Sequence, residues 1–233
     1  MPIFSILSFT DAAALVWFLC VWLGYAWYSR RASERGKGLT LLAVTNGHRR
    51  AWMLQATSRD PRMLDGIIMQ GLSASPSFFA SAAILIIGGV LALLGTTDKA
   101  AEVVREIPFA TQTSIAMFEL KLMLLAGIFV YAFFRFSWSM RQYTFAALML
   151  GAMPTTEAFT SGAADRERYA ERAGTLVGMA AETFNDGIRA YYFSFAGIAW
   201  FFSPLALAIG AALVAAVLYG REFHSHVLEV LRD

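Results

Sequence analysis

The sequence predicts an all-α, polytopic membrane protein: four transmembrane helices joined by cytoplasmic and interfacial amphipathic helices. Three observations carry that expectation. Hydrophobic residues make up 58% of the chain and charged residues 15%, with a mean hydropathy of +0.54, outside the usual balance of soluble domains. Four apolar runs approach or exceed the length needed to cross a bilayer core, about 20 residues in a helix. Lys and Arg are gathered into two of the segments between those runs, as positive-inside topology requires. The 233 residues read as a single membrane domain, 1–233, without a separate soluble domain.

The first span covers 12–28, "AAALVWFLCVWLGYAWY", with Thr10 and Asp11 ahead of it as N-cap candidates. No Lys or Arg precedes the run and "YSRRASERGK" follows it, so a permanent span is expected rather than a cleaved signal. Cys20, the only cysteine, lies within this run, which excludes a disulfide framework or a cysteine-based zinc site. In the segment 29–76, "DPRMLDGIIMQGL" predicts a surface helix with Asp60 as its cap and Pro61 in its first turn. Met63, Leu64, Ile67, Ile68 and Leu72 fall on one face of it. The second span, 77–94, is entered at Pro76 and left at "GTTDK".

The third span, 115–134, is about 30 Å long at 1.5 Å per residue and contains Glu119 and Lys121. Positions two apart differ by about 200° around a helix, so the two side chains do not pair with each other. They lie about 6–9 Å inside the outer end, where Lys121 can snorkel outward and Glu119 faces the bundle or a subunit contact, with Arg105 as a basic partner. Both are candidate intramembrane polar residues. In the segment 135–189, Arg135 and Arg141 mark the cytoplasmic edge. Residues 145–153 are apolar but too short to cross, which suits an interfacial or re-entrant piece ended by Pro154. Tyr169, Ala173, Leu176, Val177, Ala180 and Phe184 then share one face of an amphipathic helix.

The fourth span, 190–219, is introduced by "NDG" and broken at Ser203 and Pro204. At about 45 Å it must tilt, kink or project, and two crossings do not fit within it. The segments 29–76 and 135–189 hold fourteen Lys and Arg, against four in Lys99, Arg105, Arg221 and Arg232, so both large segments are expected in the cytoplasm and both termini outside. The net charge of +2, with the basic residues dispersed among acids, makes no case for nucleic-acid binding.

No HExxH, CxxC, GxSxG or dinucleotide motif occurs, so the reading leans away from an enzyme, and no cofactor or metal is expected. His224 and His226 with Glu222 have a spacing that suits a strand rather than the helix expected there. Asn46, His48, Arg49, Arg50 and Trp52 form a polar cluster with the residue types that hold a lipid headgroup or an anion. Gly88 with Ala92, and Ala206 with Gly210, have the small-xxx-small spacing that lets helices approach closely.

The blocks "NGHRRAWM", "LSASPSFFASAAILI", "FSWSMRQYTFAALMLGAMP" and "YYFSFAGIAWFFSP...LYGREFHSH" resemble, in that order and over nearly the whole chain, an uncharacterised family of bacterial-type integral membrane proteins. It is catalogued only as a domain of unknown function, the 599 family. The resemblance implies four spans in a bacterial inner membrane and supplies no catalytic or ligand residues. Three functions remain open. The first is a structural, interaction or accessory subunit, as a homo-oligomer or with another membrane protein. The second is a channel or transporter for a small ion or solute formed between protomers. The third is a lipid-binding or lipid-modifying protein.

Overall fold

The computed structural model describes residues 7–34, 40–97 and 114–232. Among them are eight helices and no strand: α1 (Phe9–Glu34), α2 (Leu41–Ala56), α3 (Met63–Leu94), α4 (Ile115–Gly151), α5 (Thr156–Thr160), α6 (Arg166–Ala199), α7 (Pro204–Phe223) and α8 (His226–Arg232). Four stretches are long and apolar enough to cross a membrane: α1, α3, α4 and Pro204–Arg232. The chain divides into two compact units. The first comprises the described residues of 1–31, 81–133 and 188–221, and the second those of 32–80, 134–187 and 222–233.

Within the first unit, α1 begins two residues earlier than its polar residues suggested. Ser8 caps it, its hydroxyl accepting from Asp11 N at 3.1 Å and donating to Asp11 Oδ2, which leaves Oδ1 of that carboxylate for a tertiary contact. The start of α4 packs on α3 through Val90, Phe118 and Leu122. Antiparallel to α4 runs the last third of α6: Gly197 meets Leu125 and Ile128, and Phe129 meets Tyr191 edge-on. At Trp200–Ser203 the chain turns, and α7 returns along α6, where a Cβ on Gly210 would lie 3.3 Å from Ala196. The small residue at 210 is what lets the two backbones approach. By contrast, a Cβ on Gly88 meets nothing within 4 Å.

Here the structure corrects the expected fourth span. Residues 190–199 and 204–219 are the two arms of a hairpin rather than one broken crossing. The arms fit because the first is the continuation of the amphipathic helix, not a new one. The "NDG" that reads as a helix start lies inside α6, with Asp186 ion-paired to Arg135 and Gly187 pressed against the Phe136 ring. Pro204 does not kink a span; it opens α7, where a missing N–H costs nothing.

Register sets the direction of α7 against α1. Trp17 Nε1 donates to Ala208 O at 3.2 Å, and Tyr28 pairs with Tyr219, so α1 and α7 run parallel. The N-terminal end of α1 and the C-terminal end of α7 therefore lie at opposite ends of the first unit.

The second unit is built on α2, the first half of α3, the second half of α4, α5, most of α6, and α8. Thr40 caps α2 through its hydroxyl, accepting from Ala43 N at 3.1 Å, and Glu222 accepts from Leu42 N at 3.1 Å, both favourable at a helix N-terminus. α2 lies close across α6 because Gly174 and Gly178, four apart, present no side chains: a Cβ would sit 2.7 Å from Arg50 Cα at the first and 2.9 Å from Asn46 Oδ1 at the second. The predicted surface helix and second span prove to be one helix, with Pro76 buried inside α3. Likewise 145–151 does not re-enter; it continues α4, because nothing between Phe134 and Gly151 breaks a helix until Pro154 approaches. The predicted inner face of α6 is met by Ala173, Val177 and Ala180, all buried, packing with Met53, Met69, Tyr143 and Ala146. Phe79, Phe136 and Phe184 form a ring cluster, with centroids 5.5–5.8 Å apart.

Candidate ligand cleft and buried polar residues

Lys121 does not snorkel. Only 1% of it is exposed, and its ammonium lies 5.7 Å from the Trp200 ring centroid and 5.8 Å from that of Phe201. Trp200 Nε1 in turn donates to Asp11 Oδ1 at 2.8 Å, and Asp11 is the charged group whose field acts on Lys121. Three elements thus close around one polar cluster: α1, α4 and the α6–α7 turn. Glu119 is half-buried and pairs with nothing among the described residues, while its expected partner Arg105 lies outside them. Elsewhere in the first unit, Arg189 is buried, donates to Ser29 Oγ at 2.9 Å and covers the Tyr25 ring.

The predicted headgroup cluster is only partly assembled. Arg49 donates to Thr45 Oγ1 at 2.9 Å and Asn46 Oδ1 at 2.7 Å. Both partners are neutral, so burial pulls the guanidinium below its ordinary pKa, an effect that Tyr143 opposes. The others diverge. His48 bonds Leu231 O at 3.0 Å, Arg50 pairs with Glu171 at 3.1 Å, and Trp52 Nε1 donates to Asp65 Oδ1 at 2.7 Å. Helical spacing explains this: positions 46, 48, 50 and 52 are distributed around α2. Arg135 pairs with Asp186, and Arg141 lies over the Phe145 ring. His226 pairs with Glu229 while Glu222 caps α2, so these two do not share a site.

What the sequence did not disclose is a cleft of about 440 Å³ in the second unit, within the range of small-molecule sites. The start of α3 and the end of α4 form its walls. Met69, Ala147 and Leu150 supply apolar surface, and Arg62, Gln70, Ser73, Tyr143 and Thr144 polar atoms. Ser73 and Thr144 donate to their own helix, to Gln70 O at 2.9 Å and Met140 O at 3.1 Å. Arg62 is held by three carbonyls: Nε to Ala56 O at 3.1 Å, and the two terminal nitrogens to Met153 O at 3.4 Å and Pro154 O at 2.8 Å. Beside the cleft, Met63, Leu64 and Ile67 of α3 and Leu148 of α4 are all more than half exposed. The nearest carboxylate in sequence, Asp65, is fully buried and engaged by Arg59 and Trp52.

No curated protein and no solved structure matches the chain. Residues 13–227, nearly its full length, match the family model described as "Protein of unknown function, DUF599". The match takes in most of each of the four apolar helices, and the chain belongs to the DUF599 family, whose activity is unassigned.

Proposed function

We propose that this multi-pass membrane protein binds the acyl portion of a membrane amphiphile in the cleft between α3 and α4. The observation that carries the reading is the cleft itself, with its apolar walls beside exposed Leu64, Ile67 and Leu148. Within α3, Ser73 precedes the apolar stretch that starts at Ser77 by four residues, about 6 Å along the axis, so an acyl chain reaches the cleft from the bilayer edge. The same reading takes the basic segments, the C-terminal helix and the cleft to lie at the cytoplasmic face of a bacterial inner membrane, with the N-terminus opposite. Sixteen of the 19 Lys and Arg then lie on that side, leaving Lys99 and Arg105 outside and Lys121 in the bundle.

Native mass spectrometry of the purified protein tests this. The wild type is expected to retain one lipid mass, and Ala147→Trp, which fills the cleft, to lose it. Ala212→Trp on the exposed face of α7 serves as the control and keeps it. Equal retention in both variants removes the cleft from consideration.

A second reading, assembly into a homo-oligomer or with a membrane partner, is favoured by Gly88 and Gly89. Both are exposed on α3 with open space where a Cβ would stand, so another helix can approach there. The same mass measurement reports it, a monomer without a second protein counting against it. The transport alternative draws on Glu119 alone.

A further inference from the structure

We infer that the occupant of the α3–α4 cleft carries an anionic, phosphate-type headgroup bound at Arg62; the inference rests on the reading that the cleft holds a membrane amphiphile. No Asp or Glu lines the cleft, so Arg62 is its only formal charge. A guanidinium has five N–H donors. Three of those on Arg62 are taken by Ala56, Met153 and Pro154, all neutral carbonyls, which leaves two donors and an uncompensated positive charge.

Those carbonyls also fix the fork in place, so a ligand need not order a flexible side chain to use it. Helix ends do not cancel the charge. α2 and α4 both end there, each C-terminus counting for about minus half a charge, and α3 starts there with about plus half, so the sum offsets only about half of the guanidinium charge. The two N–H groups left over, one on each terminal nitrogen, are charge-assisted donors of the kind that phosphate oxygens accept.

A zwitterionic choline headgroup is served less well. Its quaternary ammonium calls for a carboxylate or an aromatic cage, and Tyr143 is the one ring in the lining. Asp65 does not reach it, being fully buried with Arg59 and Trp52 both on its Oδ1.

The test uses the full chain in nanodiscs that mix phosphatidylglycerol and phosphatidylcholine of identical acyl chains, with the retained lipid identified by native mass spectrometry. Phosphatidylglycerol is expected to be enriched about fivefold, the share one basic residue contributes to attraction of an anionic lipid. Because Arg62→Ala removes three structural hydrogen bonds, the informative variant is Gln70→Glu. It adds a carboxylate to the lining that Arg62 shares and leaves the carbonyl bonds of Arg62 intact.

That variant is expected to keep one bound lipid and lose the enrichment. Equal retention of the two lipids by the wild type overturns the headgroup inference while the cleft reading stands; no retained lipid at all overturns both. Unchanged enrichment in Gln70→Glu removes Arg62 as the reader of charge. Millimolar inorganic phosphate that displaces the lipid without charge preference assigns the site to free phosphate and overturns the lipid source.

Discussion

Gly187 allows the packing of the second unit to be tested at a single atom. A methyl group there would lie 2.4, 2.7 and 2.8 Å from three atoms of the Phe136 ring. Ordinary contact begins near 3.4 Å, so the ring must retreat by about 1 Å. It has nowhere to go: Phe136 is fully buried and packed against Phe79 and Phe184. Overpacking of this kind costs about 1–3 kcal/mol, and alanine's better helix propensity returns up to about 1 kcal/mol. Gly187→Ala is therefore expected to lose about 1–2 kcal/mol, or roughly 2–8 °C in Tm for a chain of this size. Thermal unfolding in detergent, followed by circular dichroism, measures it. Gly71→Ala, whose added methyl meets nothing within 4 Å, is the control and should not lose stability. Phe136→Leu in the Gly187→Ala background should cost less than the sum of the two single changes. An unchanged Tm in Gly187→Ala, or strict additivity in the pair, would refute the reasoning.

Three further outcomes are expected. Asp11→Ala deprives the buried Trp200 N–H of its acceptor and should cost about 1–3 kcal/mol, and adding Lys121→Met should recover part of that loss by removing the charge left unbalanced; full additivity in the cycle would show that Asp11 and Lys121 do not communicate. Asp65→Ala strands Trp52 and Arg59, and a loss of about 1–3 kcal/mol is expected in urea titration, the part due to half-exposed Arg59 being the smaller. In a Cys20→Ser background, impermeant maleimide should label Ser58→Cys and Val230→Cys from one face of the membrane and Ser114→Cys from the other; labelling of Val230→Cys with Ser114→Cys would contradict a parallel α1 and α7.

The apolar runs made the helices of the bundle legible, because a membrane leaves few ways to satisfy a backbone and composition alone identifies them. Boundaries were less legible, since the usual punctuation misleads inside long helices. Pro76 is accommodated within α3, and Asn185–Gly187 reads as a turn while tertiary partners hold it helical: an arginine for Asp186 and a phenylalanine ring for Gly187. Read as a helix start, that stretch merges the end of α6 with α7. Of the candidate residues, Lys121 stood out as a charge in an apolar run, and its surroundings did not, because Asp11 and Trp200 lie 110 and 79 residues away. The cleft was invisible for a different reason. Its residues are ordinary, and only the crossing of α3 and α4 makes a space of them. The Gly174–Gly178 pair, whose spacing matches the other small-residue pairs, did carry a readable signal, one that was not taken up.

The contacts of α1 also set an order on how the protein is made. Its side-chain bonds to Arg189, Trp200 and Ala208 reach across 160, 189 and 191 residues of sequence. Synthesis is vectorial, so α1 arrives in the bilayer long before any of these partners exists. Until the hairpin arrives, its Asp11 carboxylate and Ser29 hydroxyl are solvated by headgroups and water instead of protein. α1 thus precedes its fastenings, and a ribosome stalled anywhere before the hairpin leaves α1 without them.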